Sequence, residues 1–273
     1  MSGCGAFGGP NGRLDGWFQQ SDWLFSRRSP DEHGAMMLQA CLNGNRTKTF
    51  NARVPCTADE LARDALEVIK AGADELHVHP RDADGVETLE ALHVTAALVV
   101  IRAAMPAVAI GLSTHWAIPP GGVARQRRIG AWTALPDYVS VNLAEDDAPE
   151  VIALALQKGI GVEAGLASVA DAQRFLALEN AKRCLRVLIE IDEQDEREGT
   201  RVANAIIDVL GSSSVTLPKL LHGYEQTKWP LFRYAIALGL DSRIGFEDGG
   251  ALPTGETARN NADLIRAARQ MIG

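Results

Sequence analysis

From residue 36 onward, short apolar runs alternate with longer segments in which apolar residues recur at helical spacing. This alternation predicts strands that are each followed by a helix. The clearest helix spans 58–71, because Thr57 can cap its start, Glu60 completes a capping box and Gly72 follows its end. The predicted strands are 37–42, 75–80, 107–113, 138–143, 161–166, 186–191, 214–218 and 241–246. The other predicted helices are 89–104, 121–133, 147–158, 169–179, 198–210, 226–238 and 257–271.

Eight strand-helix units of roughly 30 residues predict a (β/α)8 TIM barrel. A doubly wound open sheet shows the same alternation, but its chemically capable residues would gather near one switch point. Here they recur at the carboxyl ends of several strands, which favours the barrel. We therefore expect residues 34–273 to form one catalytic barrel domain. Residues 1–33 are Gly-rich at first and then contain aromatic residues with neither helical nor alternating spacing. We expect them to form an N-terminal extension that is either flexible or in contact with another subunit.

Composition narrows the class of protein. The chain has 273 residues, 46% of them hydrophobic, and a formal net charge of -8. These values predict a globular protein and disfavour nucleic acid or an anionic membrane as partner, since such sites carry a basic stripe. No segment reads as a signal peptide or a membrane span. The four cysteines lack Cys-x-x-Cys spacing, which indicates reduced thiols and a cytoplasmic location; they are Cys4, Cys41, Cys56 and Cys184.

The most informative motif is the hexapeptide His77-Val78-His79-Pro80-Arg81-Asp82 at the end of predicted strand 2. Side chains alternate along a strand, so His77 and His79 point to one side and Val78 to the other. Two histidines aimed into one cavity suggest a metal site. A His-x-His pair on a strand is equally consistent with two hydrogen-bonded structural histidines.

Strand 8 supplies the residue that favours the metal. Arg243, Gly245 and Glu247 share one face of it, and strands 2 and 8 both adjoin strand 1 in a barrel. His77, His79 and Glu247 can therefore converge. Two imidazoles and one carboxylate are the ligand set of a catalytic Zn²⁺ site, although another divalent metal such as Mn²⁺ or Fe²⁺ could bind there. The alternative for Glu247 is an ion pair with Arg243.

Two separated blocks now carry a resemblance: the chain resembles the β-keto acid cleavage enzyme family over about residues 36–272. The order and spacing of the blocks make this likeness more specific than either block alone. The first block comprises Val54 to Ala62, Ala71 to Ala73, the His77 to Asp82 hexapeptide and Asp84-Gly85; the second comprises Arg243 to Asp248, Gly255 and Asn261 to Ile265.

The resemblance implies a zinc-dependent acyltransferase like the 3-keto-5-aminohexanoate cleavage enzyme. In such an enzyme a β-keto acid is cleaved in a reaction with acetyl-CoA, the co-substrate, which gives acetoacetate and a new CoA thioester. By similarity, Asp248 with Arg243 and Ser113 would generate the carbanion, and Ser140 would contact the substrate. The resemblance also implies a homo-oligomer, a dimer or tetramer. Asp248 could instead cap its loop, and Ser113 could be an ordinary rim hydroxyl.

Further substrate-binding candidates lie at the ends of other strands. Asn142 ends strand 4, and Glu163 points inward on strand 5, where we expect contact with substrate or with Arg243 because an unpaired buried carboxylate is costly. Asn45 follows strand 1, where the lysine-fermentation member of the family has an acidic residue suited to an amino group. Glu190 is a weaker candidate from an acidic stretch after strand 6.

The chain also departs from the family pattern. His115-Trp116 replaces two glycines after strand 3, and the second acid of a Glu-x-Glu on strand 5 is missing at Gly165. Strand 7 leads into Leu220-Leu221-His222-Gly223-Tyr224-Glu225 instead of a Gly-x-Gly-Arg type loop. His222 could thus be a pocket residue, a further metal ligand or a structural residue. These changes indicate a different substrate and altered CoA contacts.

Two other classes of function are consistent with parts of the pattern. A metal-dependent hydrolase or aldolase of the barrel class also uses metal-binding histidines, but amidohydrolases add histidines on strands 5 and 6, and those predicted strands have none. A metal-binding barrel without turnover is the non-catalytic alternative. The presence of Arg243, Asp248 and Ser113 argues against it.

Overall fold

The computed structural model describes residues 36–273. The predicted extension over residues 1–33 lies outside these described residues. Within them, no helix is both long and apolar enough to cross a membrane.

Eight parallel strands form one sheet within residues 36–273, in the order β7-β6-β5-β4-β3-β2-β1-β8. The two end strands meet at a parallel bridge between Leu220 and Asp241, and the Ser242 hydroxyl donates to the Leu221 carbonyl at 2.6 Å. The sheet is thereby nearly closed, which confirms the predicted TIM barrel. The strands are β1 (Leu38–Cys41), β2 (Glu75–Val78), β3 (Ala109–Ser113), β4 (Tyr138–Asn142), β5 (Gly161–Leu166), β6 (Arg186–Ile191), β7 (Lys219–Gly223) and β8 (Ser242–Ile244).

A helix follows each strand and buries its apolar side against the barrel. The first one starts as its sequence predicts, because Thr57 accepts from the Glu60 N–H while the Glu60 carboxylate accepts from the Thr57 N–H. Gly72 ends it in the left-handed conformation at φ 113°. The helices are α1 (Ala58–Ala71), α2 (Ala91–Ala104), α3 (Gly122–Gly130), α4 (Ala148–Gln157), α5 (Val169–Leu176), α6 (Glu196–Gly211), α7 (Lys228–Leu238) and α8 (Asn261–Ile272).

The predicted position of strand 7 was wrong. The apolar residues of 214–218 suggested a strand there, but β7 begins immediately after Pro218. Proline has no N–H to donate to a ladder, so regular pairing on both sides of the strand starts at Lys219. His222 consequently lies inside the strand and is buried, rather than in the loop that follows it.

A buried polar layer fills the barrel below the strand ends. Glu163 accepts hydrogen bonds from Arg186 Nε at 2.5 Å and from Gln39 Nε2 at 2.9 Å, and Arg186 also pairs with Glu75. Tyr138 packs under the Arg186 guanidinium and donates to the Leu76 carbonyl. The network pairs charges that would be costly to bury alone.

This layer corrects the expected partner of Glu163. We expected Arg243 or substrate, whereas the structure pairs Glu163 with Arg186, its register neighbour on β6. Adjacent parallel strands bring these two side chains to the same height inside the barrel. Contact of Glu163 with substrate stays a prediction.

Candidate metal centre and active site

Three side chains converge at the carboxyl ends of β2 and β8. The Nε2 atoms of His77 and His79 lie 3.2 Å apart, and Glu247 Oε2 lies 3.8 Å from the first and 3.4 Å from the second. Both histidines are buried, with 1% and 6% of their surface exposed. Within the described residues, Glu247 Oε2 is a buried oxygen with no hydrogen-bond partner. The three donor atoms all lie within 4.8 Å of one another, and this set fits a divalent metal ion.

Two glycines let Glu247 reach this position. A Cβ on Gly245 would lie 1.8 Å from the Cys41 carbonyl oxygen, so only glycine lets this segment pass so close to β1. Gly44 has φ +51°, and a side chain there would collide with Glu247 Cγ at 2.5 Å. The sequence suggested that Gly245 makes room between Arg243 and Glu247. The structure shows that it makes room for the backbone of β1.

Two of the three side chains have the protonation state that metal binding requires, and His79 has to lose a proton first. Burial lowers the pKa of His77 to about 3, so its imidazole is neutral. Burial also disfavours charge on His79, but the carboxylates of Glu247 and Glu87 outweigh it and raise the pKa of His79 to about 9. Although burial opposes it, Arg243 and the histidines hold the pKa of Glu247 well below its usual value. The ionised carboxylate is therefore a ready ligand, and His79 must release a proton when an ion binds.

Glu87 contacts the candidate metal centre, and the sequence analysis missed it. Its carboxylate bonds His79 Nδ1, which leaves His79 Nε2 free to face Glu247. A tight turn at Gly85 returns the chain, and Arg81 and Glu87 form an antiparallel bridge. Asp-x-Asp-Gly in the motif is a turn signal, and it could have indicated that the chain folds back toward His79. A carboxylate on the second ring nitrogen fixes the tautomer and orientation of a metal-binding histidine.

Replacing Glu87 with glutamine is expected to weaken metal affinity by about ten- to a hundredfold, the usual cost of losing such an outer partner. Zn²⁺ affinity can be measured by competition with a chromophoric chelator. Glu90→Gln is the matched control, since Glu90 pairs with Arg128 on the outer surface. Equal affinities in the two variants would contradict the role of Glu87.

Beside the three candidate ligands, Arg243 joins Glu247 to Asp248. Its Nη2 lies 2.8 Å from Glu247 Oε1 and 2.9 Å from Asp248 Oδ1. Asp248 is fully buried, and its Oδ2 atom has no hydrogen-bond partner among the described residues. Burial opposes the charge on Arg243, but Asp248, Cys41 and Glu247 raise its pKa well above the usual value. Arg243 is thus a permanent cation that leaves one oxygen of Asp248 free.

His222 lies on the other side of this pair, between two carboxylates. Its Nδ1 is 3.3 Å from Asp248 Oδ1 and 3.3 Å from Arg243 Nε, and its Nε2 is 3.6 Å from Glu190 Oε2. The candidate metal group of the described chain does not include it. Of the three interpretations that the sequence left open, the structure favours a side chain that positions its charged neighbours.

A cavity of about 1230 Å³ opens over β3 to β7 on the same face. Glu190 and Tyr224 form part of its lining, and Tyr224 hydroxyl lies 3.3 Å from Arg243 Nη2. Tyr224 thus contacts both the cavity and Arg243, whereas Arg243, Asp248 and the three metal-ligand candidates do not line the cavity. Its other lining residues include His115, Trp116, Asn142, Glu145, Gly165 and Asp192.

The remaining predicted site residues are distributed over this face. Ser113 and Ser140 are register neighbours on β3 and β4, and both are buried. Ser113 Oγ accepts from the His115 N–H and, within the described residues, makes no hydrogen bond to Arg243 or Asp248. Asn142 lines the cavity, whereas Asn45 is exposed in the loop after β1. The structure thus brings Arg243, Asp248 and the three metal-ligand candidates together and leaves Ser113 outside that cluster.

Comparison with known sequences gives a family. The sequence model of the family described as beta-keto acid cleavage enzyme matches residues 35–185 and 214–273. The 3-keto-5-aminohexanoate cleavage enzyme of Fusobacterium nucleatum is 23% identical over 253 residues, which cover 80% of this chain and 84% of that enzyme. The enzyme of the same name from Acetoanaerobium sticklandii is 22% identical over 233 residues, with the same coverage of both chains.

Solved structures confirm the fold. A ternary complex of ObcA with C4-CoA adduct and oxalate superposes with a TM-score of 0.66 at 16% identity, covering 80% of this chain and 63% of ObcA. The chain thus spans about three fifths of the length of ObcA. A type I 3-dehydroquinate dehydratase from Clostridium difficile gives a TM-score of 0.58 at 13% identity, covering 88% of this chain and 93% of the dehydratase.

Proposed function

The chain belongs to the beta-keto acid cleavage enzyme family, and we propose that it is a zinc-dependent acyltransferase that cleaves a β-keto acid with acetyl-CoA as co-substrate. The products would be acetoacetate and a new CoA thioester. The observation that carries the proposal is the convergence of His77, His79 and Glu247 directly beside the Arg243–Asp248 pair.

His77, His79 and Glu247 would hold the ion. When bound there, a divalent cation supplies Lewis-acid polarisation of the keto and carboxylate oxygens of a β-keto acid, which acidifies C2. Arg243 holds Glu247 and Asp248 in fixed positions through one guanidinium. Because the three side chains are largely shielded from water, their charges act more strongly than at the surface.

Asp248 is the proposed general base. Its Oδ1 is bound by Arg243, so Oδ2 is the atom left to take the C2 proton. The C2 carbanion attacks the thioester carbonyl of acetyl-CoA, and CoA thiolate leaves. The thiolate then attacks the C3 ketone and the C2–C3 bond breaks. Asp248 returns its proton to the C2 carbanion, which still carries the acetyl group and thereby becomes acetoacetate.

The cavity supports a second substrate on the same face. Its lining includes Asn142, and Ser140 lies on the same strand, so we assign both to substrate contact together with Ser113. ObcA has been solved with a C4-CoA adduct and oxalate and with oxaloacetate, which supports a keto acid and a CoA ester as ligands of this chain. The bulky His115-Trp116 pair in the cavity lining supports a substrate that differs from that of the curated relatives.

The test uses zinc-loaded protein, acetyl-CoA labelled with ¹³C in both acetyl carbons, and a panel of β-keto acids. We expect acetoacetate with both labels at C3 and C4, together with an unlabelled new CoA thioester, detected by mass spectrometry. A 2,2-dimethyl β-keto acid is the matched control, because it has no C2 proton and should not react. Unlabelled acetoacetate, or no cleavage of any keto acid, would refute the proposal and favour the hydrolase and aldolase alternatives.

A further inference from the structure

Gly165 leaves an opening in β5 that two side chains from neighbouring strands occupy. A Cβ built on Gly165 would lie 2.4 Å from Glu190 Oε1 and 2.5 Å from Asn142 Oδ1. In the family pattern that the chain resembles, the second acid of a Glu-x-Glu stands where this chain has Gly165. The structure instead brings the carboxylate of Glu190, from β6, across the glycine into that space.

The Glu190 carboxylate is fixed at one oxygen and free at the other. Its Oε2 accepts from the Tyr224 hydroxyl at 2.9 Å and faces His222 Nε2 at 3.6 Å. Its Oε1 accepts no hydrogen bond from the described residues, nor does Asn142 Oδ1. Although burial opposes it, His222, Arg243 and Tyr224 hold the pKa of Glu190 below its usual value, so the free oxygen carries negative charge.

Both free oxygens belong to residues that line the cavity. They are acceptors, and the bound oxygen of Glu190 is linked through Tyr224 to Arg243. The space between them therefore suits a hydrogen-bond donor attached to a molecule that also reaches the Arg243–Asp248 pair. A second carboxylate in that space would meet the ionised Glu190 oxygen, and two like charges so close together are unfavourable.

We propose that Glu190 and Asn142 form a subsite over Gly165 that binds a hydrogen-bond donor, a hydroxyl or an ammonium group, on the side chain of the β-keto acid. This inference rests on the proposed function and adds the substrate class to it. Glu190 thereby becomes a specificity-determining residue.

The test compares β-keto acids of one chain length that carry a hydroxyl, ammonium, methyl or carboxylate group at the same carbon, at C4, C5 or C6. For the wild-type protein, we expect kcat/KM for one of the two donor-bearing acids to exceed that for its methyl counterpart by about ten- to a hundredfold, the usual value of a hydrogen bond to a charged acceptor. The carboxylate-bearing acid should be the poorest substrate. The donor-bearing acid with the higher kcat/KM shows whether the subsite binds a hydroxyl or an ammonium group.

Two variants locate the effect. Glu190→Gln should lower kcat/KM for the preferred donor-bearing acid by about tenfold or more and leave the methyl-bearing acid within about twofold. Gly165→Ala should also lower kcat/KM for the preferred donor-bearing acid, because its methyl group would lie 2.4 Å from Glu190 Oε1, 2.5 Å from Asn142 Oδ1 and 3.3 Å from Asn142 Cα. Glu196→Gln is the matched control for the first variant, since Glu196 is exposed at the start of α6.

The outcomes separate this inference from the proposed function. If the wild-type protein cleaves no keto acid, the proposed function fails and the subsite fails with it. If kcat/KM for the methyl-bearing acid equals or exceeds that for both donor-bearing acids, only the subsite is refuted. An equal loss for all substrates in Glu190→Gln would also refute it, because that result assigns Glu190 to positioning Arg243.

Discussion

Replacing His77 with alanine is expected to reduce zinc affinity by more than about a hundredfold and to lower cleavage activity below about 1% of the wild-type value. The reason is that His77 Nε2 is one of three donor atoms that face a common point, and the remaining imidazole and carboxylate form an incomplete set. Losing an outer partner already costs about ten- to a hundredfold in affinity, so losing a ligand should cost more. Metal content after dialysis and the acetoacetate assay measure the two effects.

The control for this variant is His93→Ala, because His93 lies on α2 and does not belong to the candidate metal group. His77 is buried, so its replacement also leaves a cavity, and circular dichroism should establish that the variant folds. Glu247→Gln retains the side-chain volume and should lose metal in the same way. Zinc bound at wild-type stoichiometry and affinity in either variant would show that the metal centre is wrongly assigned.

Replacing Asp248 with asparagine is expected to lower kcat by about 10²- to 10⁴-fold while zinc stays bound. An amide cannot take the C2 proton, and a positioned general base contributes about that factor. The variant should fold, since Arg243 keeps its ion pair with Glu247 and the asparagine oxygen can still accept from the guanidinium. The Asp248 variant therefore tests the base while the metal stays bound, whereas the His77 variant removes the metal.

Exchange of the C2 proton with D₂O isolates the step assigned to Asp248. Without acetyl-CoA, the wild-type protein should catalyse deuterium incorporation at C2 of its keto acid. Asp248→Asn should catalyse this exchange at least about a hundredfold more slowly. Asp84→Asn, in the exposed turn before Gly85, is the matched control. Equal exchange rates in wild type and Asp248→Asn would assign the proton to another group.

The local pattern of the sequence predicted most of the elements because each is specified by neighbours in the chain. Helix α1 begins and ends where Thr57, Glu60 and Gly72 indicate, since these caps depend only on adjacent residues. The position of β7 was mistaken because apolar content was weighted above the missing N–H of Pro218. That one shift is also why the burial of His222 was not anticipated.

The sequence by itself determined the barrel and the clustering of His77, His79 and Glu247. Parallel strands that follow chain order fix which strand ends are neighbours, and the two-residue period fixes which side chains face inward. Only the tertiary structure decided the partners of those residues. Arg186 replaces Arg243 as partner of Glu163, and Glu190 crosses Gly165 from the next strand. Such contacts depend on side-chain reach and on the relative height of strands in the closed barrel, which no local pattern in the chain encodes.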